Sequence, residues 1–408
     1  MRAPRSVLVV GASAAGLGTA EALRRKGYAG RLTVLGAEHR LPYDRPPLSK
    51  QVLSGAWEPE RAGLRSRDAL DALDAEFVLG DAAVSLDPEA RAVRTAAGRT
   101  LRAEAVVLAT GLRPRRLPGQ DDVDGVHVLR TLDDAVALRG ALERARRVVV
   151  VGNGVLGAEV AATAAASGAR TSLVGLQPAP LSEQLGERVG GLVARLHARN
   201  GVRQYHGTGV EELVHEQARA TGVRLPSGEV LPADVVVVAV GCTPATEWLA
   251  TSGLRLDDGI VCDARCRAAD GVYAVGDAAR WYHEGLGAHV RLENRTNATT
   301  QAGAVAANLL GGDVAYAPVP YFWTDQFDVK IQVFGTPRPG AEVSFVEGDE
   351  EGGRFVAVYG GERTRAVYGG ERTRAVHGGE RPHAVLGWNM AKQARLHSRS
   401  LSTAGAAA

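Results

Sequence analysis

The chain has 408 residues, a length typical of two or three domains and sufficient to bury a sizeable hydrophobic core. Its 48 basic and 46 acidic residues give a formal net charge of +2, so no broad basic field predicts binding to nucleic acid. Hydrophobic residues make up 45% of the chain, which excludes disorder for most of it, and the 50 glycines are nearly double the usual share.

The first predicted elements form a strand, a tight turn and a helix. The apolar run 6–10 predicts a strand buried in a parallel sheet, and residues 17–26 predict a helix. Between them, Gly11 allows a tight turn, Ser13 lets the backbone approach a pyrophosphate, and Gly16 lets the helix pack closely on the strand. Ser13 stands where this dinucleotide-binding pattern usually has its second glycine.

An acidic residue follows the second predicted strand, which spans residues 31–35. Glu38 lies 22 positions after Gly16, close to the position from which an acid hydrogen-bonds an adenosine ribose. The beginning of the chain therefore predicts a complete dinucleotide site.

The same pattern of strand, turn and helix occurs again about 140 residues further along the chain. Residues 147–151 predict a strand, Gly152, Gly154 and Gly157 supply all three glycines of the turn, and 158–166 predict a helix. The amides and dipole of a helix N-terminus favour phosphate. Two such units predict two bound dinucleotides, and they favour electron transfer from a nicotinamide, which delivers hydride, to a flavin, which accepts it.

The second unit lacks the acid that selects NADH. Residues 171–174 predict its next strand, and the acid is expected near position 175, where the sequence reads Gly175-Leu176-Gln177. No arginine replaces the acid to bind a 2′-phosphate. We therefore expect weak discrimination between NADH and NADPH.

Three further apolar runs, 105–111, 234–241 and 272–278, predict strands that contain or end in glycine. Such strands are expected where the chain passes between two nucleotide-binding domains. The third contains Gly276-Asp277, which places a carboxylate at the carboxyl edge of a sheet, where doubly wound folds bind ligands.

A nine-residue repeat stands near the end of the chain, in residues 357–365, 366–374 and 375–383. Its Gly-Gly turns lack the aspartates of calcium-binding nonapeptides, so no metal role is expected. Each copy combines a short strand with a Gly-Gly turn, which predicts a meander closing on residues 384–388. Because two extra copies add an even number of strands, we interpret the segment as a projecting hairpin.

Basic side chains follow the repeat at Lys392, Arg395, His397 and Arg399. Two interpretations stay open, a surface for an acidic protein partner and a solvated tail. His283, His289 and His397 have no motif partners, so none is assigned to a metal or to proton transfer.

The three cysteines, Cys242, Cys262 and Cys266, are too few for a disulfide framework. They form no C-x-x-C pair, so a thioredoxin-like redox disulfide has no support in the sequence. No apolar run reaches the length of a membrane span, and the first residues do not resemble a secretory signal. We expect a cytoplasmic protein that binds no membrane and passes its electrons to an external acceptor.

Several segments together resemble the FAD-dependent ferredoxin reductase family of the pyridine nucleotide-disulfide oxidoreductase superfamily. They are residues 41–50 (LPYDRPPLSK), the two glycine turns, Gly276-Asp277 and residues 322–326 (FWTDQ). The resemblance covers nearly the whole chain and implies an α/β fold with two Rossmann-like dinucleotide-binding domains and a C-terminal α+β domain. The implied domains are a discontinuous FAD domain over 1–113 and 242–315, an NAD(P) domain over 114–241, and a C-terminal interface domain over 316–408, which contains the repeat 357–383.

The resemblance also implies FAD and NADH or NADPH as cofactors. Lys50 is similar to the family's lysine near flavin N5, and Glu159 to its carboxylate partner beside the nicotinamide, so these are the implied catalytic residues. Trp323 matches a tryptophan near the flavin, and Asp325 and Gln326 are interpreted as fixing that segment. The implied cofactor-binding residues are Gly11, Ser13, Ala14, Ala15, Gly16, Glu38, Lys50, Val84, Thr110, Gly111, Arg130, Gly152, Gly154, Gly157, Glu159, Gly241, Gly276, Asp277, Arg295 and Trp323.

The implied reaction passes hydride from NAD(P)H to FAD and then single electrons to a ferredoxin or rubredoxin, serving a monooxygenase or dioxygenase. NADH is the implied default nicotinamide, and a monomer or weak dimer is expected. Two alternatives stay open. One is a flavin- and NAD-binding signalling protein that resembles apoptosis-inducing factor. The other is an NAD(P)H oxidase or quinone reductase, which differs only in its electron acceptor.

Overall fold

The computed structural model describes residues 3–360 and 382–402. These residues divide between two units. The first contains the described parts of Met1–Pro46, Trp57–Arg113 and Cys242–Pro318, and the second contains those of Pro47–Ala56, Pro114–Gly241 and Val319–Ala408. The predicted NAD(P) and C-terminal segments thus belong to the same unit, together with a short piece that carries Lys50.

The helices are α1 (Ala14–Arg25), α2 (Arg67–Asp71), α3 (Leu132–Leu142), α4 (Val155–Ala166), α5 (Ser182–Arg199), α6 (Arg295–Leu309), α7 (Ala391–His397) and α8 (Arg399–Ser402). Short helical turns occur at Leu48–Val52, Pro59–Ala62, Gln120–Asp122, Glu247–Leu249, Gly276–Ala278 and Glu284–Leu286. The strands are β1 (Ser6–Val10), β2 (Arg31–Gly36), β3 (Glu76–Leu79), β4 (Ala83–Asp87), β5 (Ala92–Thr95), β6 (Thr100–Arg102), β7 (Ala105–Leu108), β8 (Leu112–Pro114), β9 (Val126–His127), β10 (Arg147–Val151), β11 (Arg170–Gly175), β12 (Arg203–His206), β13 (Glu212–Glu216), β14 (Arg219–Arg224), β15 (Val230–Pro232), β16 (Val235–Val238), β17 (Cys242–Pro244), β18 (Ile260–Cys262), β19 (Arg267–Ala269), β20 (Val272–Ala274), β21 (Ala279–His283), β22 (Ala288–Val290), β23 (Tyr321–Gln326), β24 (Val329–Gly335), β25 (Val343–Asp349), β26 (Arg354–Tyr359) and β27 (Ala384–Trp388).

The first unit is built on a sheet in the order β19-β20-β7-β1-β2-β3. The pairs from β20 to β3 are parallel, and the edge strand β19 is antiparallel to β20. Strand β1 is buried from Val7 to Val10, as its uninterrupted apolar sequence predicts for a strand covered on both faces. The unit also contains the antiparallel sheet β4-β5-β6 and a mixed sheet in the order β18-β21-β22, in which β18 is parallel and β22 antiparallel to β21.

The second unit contains a parallel sheet in the order β12-β11-β10-β16-β9. A three-stranded sheet, β13-β14-β15, packs its apolar side chains with those of the parallel strands. The C-terminal part is an antiparallel sheet in the order β23-β24-β27-β26-β25. Helix α5 shares one buried cluster with that sheet, in which Leu185 and Val189 lie with Ile331 and Val333. This common core explains why the two segments form one unit.

The predicted fold class is confirmed, with one systematic difference in the helices that follow the glycine turns. The helices predicted at 17–26 and 158–166 begin at Ala14 and Val155. In both cases the last glycine of the turn lies inside the first helical turn. Glycine has a low intrinsic helix propensity, but close packing of the helix on the strand requires it here. A prediction from propensity therefore places the start of each helix too late in the sequence.

The nonapeptide repeat joins two neighbouring strands of the C-terminal sheet. Strands β26 and β27 are antiparallel, and Tyr359 pairs directly with Ala384. The chain therefore leaves and re-enters the sheet at the same end. Most of the predicted meander, residues 361–381, lies outside the described residues. Among the helices of the described ranges, none combines the length and apolar character needed to cross a membrane.

The pairing of Tyr359 with Ala384 makes the repeat removable. Deleting residues 363–380 joins the same strands through a short Gly-Gly-Glu-Arg-Pro-His turn. We expect the deletion to leave flavin content unchanged and to raise unfolding stability by no more than about 1 kcal/mol, because a shorter loop costs less closure entropy. Urea unfolding and the flavin-to-protein absorbance ratio measure both quantities. Loss of flavin in a folded deletion variant contradicts an appended role.

Candidate functional site

The first glycine turn leaves no space for side chains at two positions. A Cβ at Gly11 would lie 2.1 Å from the carbonyl oxygen of Ala109, and one at Gly16 would lie 1.7 Å from that of Gly11. Gly11 also has a φ of +119°, which side chains rarely adopt. Only glycine therefore allows helix α1 to begin directly at the end of β1.

The N-terminus of α1 is open to an anion. Ser13 occupies the N-cap position but makes no side-chain hydrogen bond to the first turn. Its Oγ instead accepts a hydrogen bond from Arg45 Nη1. The amides of the first turn have no intrahelical acceptors, and Arg45 adds a positive charge beside them. This donor set fits a pyrophosphate and includes the predicted residues Ala14 and Ala15.

The carboxylate of Glu38 lies beside this turn. Arg45 Nη2 donates to Glu38 Oε1 at 3.0 Å, and the Tyr43 hydroxyl donates to Oε2 at 2.5 Å. The Arg45 guanidinium also lies over the Tyr43 ring, 5.5 Å from its centroid. A single arginine thus connects the turn serine to the predicted ribose-binding acid.

A second loop meets α1 at its start. Gly276 has a φ of +74°, and a Cβ there would lie 2.8 Å from the Cβ of Ala15. Its N–H donates to Gln301 Oε1 at 2.8 Å, which holds the buried loop in place. Asp277, the next residue, is half-buried. The structure therefore brings the predicted loop 276–277 to the start of α1.

The other residues predicted for this unit lie on separate elements. Thr110 Oγ1 donates to the carbonyl of Ala245 at 2.9 Å, and Gly111 follows with a φ of +69°. Arg295 begins α6 and forms an ion pair with Asp44 at 2.6 Å. Val84 lies on β4 and is 43% exposed.

The second glycine turn repeats the geometry of the first. A Cβ at Gly152 would lie 2.1 Å from the carbonyl oxygen of Ala239, and one at Gly157 would lie 1.8 Å from that of Gly152. Gly154 is the N-cap of α4 and has no side chain to cap it. The first amides of α4 therefore fit a second pyrophosphate. Gly241, beyond β16, has a φ of +92°.

Lys50 and Glu159 form a buried ion pair in this unit. Lys50 Nζ lies 2.7 Å from Glu159 Oε2, and the side chains are 14% and 7% exposed. Ser49 Oγ donates to the same oxygen at 2.5 Å, and Thr324 Oγ1 donates to Oε1 at 2.7 Å. Thr163 Oγ1 donates to the carbonyl of Ser49 at 2.7 Å and so ties the Lys50 segment to α4. The structure thus joins the two implied catalytic residues.

A chain of hydrogen bonds continues behind Thr324. Gln326 Nε2 donates to Thr324 Oγ1 at 2.9 Å, and Gln326 Oε1 lies 3.0 Å from His197 Nε2. Because Gln326 Oε1 can only accept, His197 Nε2 carries the proton. Burial lowers the pKa of His197 to about 4. The ring is therefore neutral near pH 7, and every bond in the chain is directed toward the carboxylate of Glu159.

Two other predicted residues of this unit, Trp323 and Arg130, are half-buried. Trp323 is half-buried on β23 and stacks on Tyr321 with ring centroids 5.9 Å apart. Arg130 precedes the cap of α3, and its N–H donates to Asp134 Oδ2 at 3.0 Å. Asp325 lies 3.9 Å from Lys330, whereas Gln326 is fully buried. Gln326 therefore holds its own strand through Thr324.

The sequence interpretation missed Arg45, Ser49, Thr324 and His197. Three of them stand in segments 41–50 and 322–326, which the family resemblance identified. His197 stands in neither. The resemblance thus marked these segments as functional, but it did not show which side chains they contact. The hydrogen bonds of Ser49, Thr324 and His197 join residues 110, 165 and 129 positions apart. The spacing of residues along the chain therefore could not predict them.

The cysteines provide no internal redox pair. None of the three forms a disulfide. Cys262 and Cys266 are buried, and burial raises the pKa of Cys266 to about 12. Both thiols therefore stay protonated and unreactive. No group of three or more potential ligands that could hold a metal ion occurs within residues 3–360 and 382–402.

Comparisons with known proteins match both parts of the chain. A family model described as pyridine nucleotide-disulphide oxidoreductase matches residues 5–302, and one described as reductase C-terminal matches residues 321–382. The ferredoxin–NAD(+) reductase component of the anthranilate 1,2-dioxygenase system of Burkholderia cepacia is 39% identical over 86% of this chain and 87% of its own. Rhodocoxin reductase of Rhodococcus erythropolis is 35% identical over 86% and 82%. A crystal structure of the covalent putidaredoxin reductase–putidaredoxin complex matches with a TM-score of 0.89 and 30% identity, covering 98% of this chain and 93% of that one.

The buried histidine makes folding sensitive to acid. The pKa of His197 is about 4 in the folded protein, below the ordinary 6.5, so between these pH values only the unfolded chain takes up a proton. The contribution of His197 is complete above about pH 6.5 and is lost toward pH 4, by up to about 3 kcal/mol. Urea unfolding from pH 7 to 4 is expected to show a shallower loss for His197→Gln than for the wild type. Equal slopes contradict this assignment.

The ion pair of Lys50 and Glu159 is expected to show strong coupling in unfolding experiments. Glu159→Gln leaves a buried ammonium without its counter-charge, and we expect a loss of about 3 kcal/mol in unfolding free energy. The double variant Lys50→Met, Glu159→Gln removes both charges and should recover part of that loss. A double-mutant cycle measured by chemical denaturation gives the coupling. Additive losses contradict a buried pair that acts as one unit.

Proposed function

Since the chain belongs to the pyridine nucleotide-disulphide oxidoreductase family, we propose that it passes a hydride from NADH or NADPH to FAD and then single electrons to a ferredoxin-type iron–sulfur protein. The observation that carries this proposal is the pair of equivalent glycine turns, one in each unit, each ending at a helix N-terminus with no side-chain cap. Two dinucleotides in one chain favour hydride transfer between them.

The free, buried cysteines support an external acceptor. A dithiol that takes electrons from a flavin needs two cysteines that can form a disulfide and a reactive thiolate. Burial raises the pKa of both Cys262 and Cys266, which opposes thiolate formation. The electrons therefore leave to a partner. The relatives named as ferredoxin reductase components of a dioxygenase system and as rhodocoxin reductase support a small iron–sulfur protein in that role.

The first unit supplies the residues that would hold FAD. The amides of α1 and the guanidinium of Arg45 would bind its pyrophosphate, and Glu38 would accept from its adenosine ribose. Asp277, which the family resemblance implies as a cofactor-binding residue, would hold the ribityl chain. Bound FAD accepts a hydride and releases electrons singly.

The second unit supplies the nicotinamide site and the charged pair. The amides of α4 bind the pyrophosphate of the dinucleotide. Glu159 fixes the Lys50 ammonium with the help of Ser49 and Thr324, so that Lys50 presents a positive charge in a defined position. A fixed cation stabilises negative charge that develops on a nearby acceptor without any reorganisation. We assign this electrostatic role to Lys50 and the orienting role to Glu159.

The reaction is tested in two stages under anaerobic conditions. NADH or NADPH should first bleach the absorbance of the bound flavin, and oxidised ferredoxins or rubredoxins should then restore it. Colourless protein, or a bound flavin that neither nucleotide bleaches, overturns the proposal. A slow reduction with a long-lived charge-transfer band and no stimulation by ferredoxin supports the signalling alternative instead. Faster reoxidation by oxygen or a quinone than by any iron–sulfur protein supports the oxidase or quinone reductase alternative.

Lys50 is expected to affect flavin reduction through its charge. Lys50→Gln should slow the bleaching by about 10- to 100-fold, because a preorganised positive charge contributes about 1 to 3 kcal/mol in such sites. Lys26→Gln, which removes an exposed lysine at the end of α1, is the matched control and should leave the rate unchanged. Stopped-flow absorbance measures both. Equal rates for the wild type and Lys50→Gln contradict the role of Lys50.

A further inference from the structure

The sequence at the end of β11 is unusual for the second strand of a dinucleotide-binding unit. Dinucleotide folds place at this position an acid that reads the ribose 2′-hydroxyl, or an arginine nearby that accepts a 2′-phosphate. Here the chain reads Gly175-Leu176-Gln177. The inference below rests on the proposed function, because it concerns how the second unit recognises the adenosine ribose of its nucleotide.

Asn153 occupies the space that a side chain at position 175 needs. A Cβ at Gly175 would lie 2.0 Å from Asn153 Oδ1 and 2.1 Å from Asn153 Cγ. Asn153 is the second residue of the glycine turn and is only 2% exposed. Any residue larger than glycine at 175 therefore requires Asn153 to move.

Two hydrogen bonds oppose such a movement. Asn153 Nδ2 donates to the carbonyl of Gln177 at 2.9 Å, and Asn153 Oδ1 accepts from the N–H of Gln177 at 3.3 Å. These bonds pair the side-chain amide with both main-chain groups of one residue. Moving Asn153 thus leaves the buried N–H of Gln177 without its acceptor, whereas the Gln177 carbonyl keeps a hydrogen bond from the N–H of Gly207 at 3.3 Å. Asn153 in this position therefore requires a glycine at 175.

The same contacts direct the side chain of Gln177. Its Oε1 accepts from the N–H of Glu183 at 3.0 Å and from Ser182 Oγ at 3.4 Å, at the N-terminus of α5. Its Nε2 lies 3.8 Å from the point where a Cβ of Gly154 would stand, beside the N-cap of α4. No acceptor for Nε2 occurs in the part of the chain that the structure describes. The amide therefore presents a neutral donor next to the pyrophosphate-binding turn.

We propose that Asn153, Gly175 and Gln177 form one specificity determinant, in which a fixed neutral amide donor takes the place of the acid that selects NADH. An N–H donor can bond to the oxygen of a 2′-hydroxyl or to an oxygen of a 2′-phosphate. A carboxylate in that place accepts from the hydroxyl but repels the phosphate. The determinant therefore admits NADH and NADPH alike.

The test measures binding to the FAD-loaded protein by titration calorimetry, with ADP-ribose and 2′-phospho-ADP-ribose as the two ligands. We expect the wild type to bind them with affinities within about tenfold of each other, since one neutral hydrogen bond differs little between the two acceptors. Gln177→Glu retains an oxygen that can accept from Glu183 N–H. It should weaken the 2′-phosphorylated ligand by about 100-fold relative to the other, because juxtaposed like charges are unfavourable.

Gln177→Met is the uncharged control: it removes the Nε2 donor, together with the Oε1 acceptor of the Glu183 N–H, without adding a charge. It should weaken both ligands by a similar factor, about fivefold, as expected for one lost hydrogen bond. A wild-type preference for either ligand above about tenfold overturns the proposal. So does a Gln177→Glu variant whose relative affinities match those of the wild type.

A second measurement tests the coupling of positions 153 and 175 without any nucleotide. Gly175→Ala should lower the Tm of the wild type and leave the Tm of Asn153→Gly unchanged, because the conflicting side chain is then absent. An equal drop in both backgrounds contradicts the coupling. A flavin-loaded wild type that binds neither ligand refutes the proposed nicotinamide function itself. Binding of both ligands with no effect of Gln177→Glu refutes only the inference.

Discussion

The absence of a Cβ at a few backbone contacts is the constraint on which both nucleotide turns depend. In each turn, the first glycine meets the carbonyl of a neighbouring strand's end, and the last glycine meets the carbonyl of the first. The two sets of distances agree within 0.1 Å, 2.1 and 1.7 Å in one turn and 2.1 and 1.8 Å in the other. These contacts bring a helix N-terminus to the carboxyl edge of its sheet, where its unpaired amides face a ligand. Because the same turn geometry occurs at the edge of both sheets, we interpret each sheet as the site of one dinucleotide.

The carboxylate of Glu159 organises the polar interior of the second unit. Burying a charge is costly unless opposite charge and hydrogen bonds compensate it, and here Lys50, Ser49 and Thr324 supply all three compensating groups. The bonds through Gln326 and His197 fix Thr324 in turn. Because each group in this chain donates a hydrogen bond to the next, the ammonium of Lys50 is held by a network and not by one flexible contact. Such fixation is what an electrostatic role in hydride transfer requires.

Departures from the family pattern are as informative as its matches. The lack of a usable cysteine pair directs the electrons out of the chain, which agrees with relatives named as reductases for ferredoxins. The glycine at 175 has a local cause in Asn153, so its missing side chain reflects packing within the turn. The repeat between β26 and β27 enters and leaves at one register point, so the flanking strands keep their pairing. Both the glycine at 175 and the repeat thus leave the pairing of the neighbouring strands intact.

The sequence by itself determined the elements whose cause is local. The apolar runs, the two glycine turns and Glu38 could be identified from it, because strand burial, tight turns and phosphate approach depend on neighbouring residues. The link between Lys50 and Glu159 came only through a resemblance to a known family. The tertiary structure alone decided the rest of the site: Arg45 between Ser13 and Glu38, Thr324 on Glu159, His197 behind it, and Asn153 against Gly175. Most of these contacts join residues that are distant in sequence. They depend on side-chain volume and hydrogen-bond direction, and neither can be inferred from the spacing of residues along the chain.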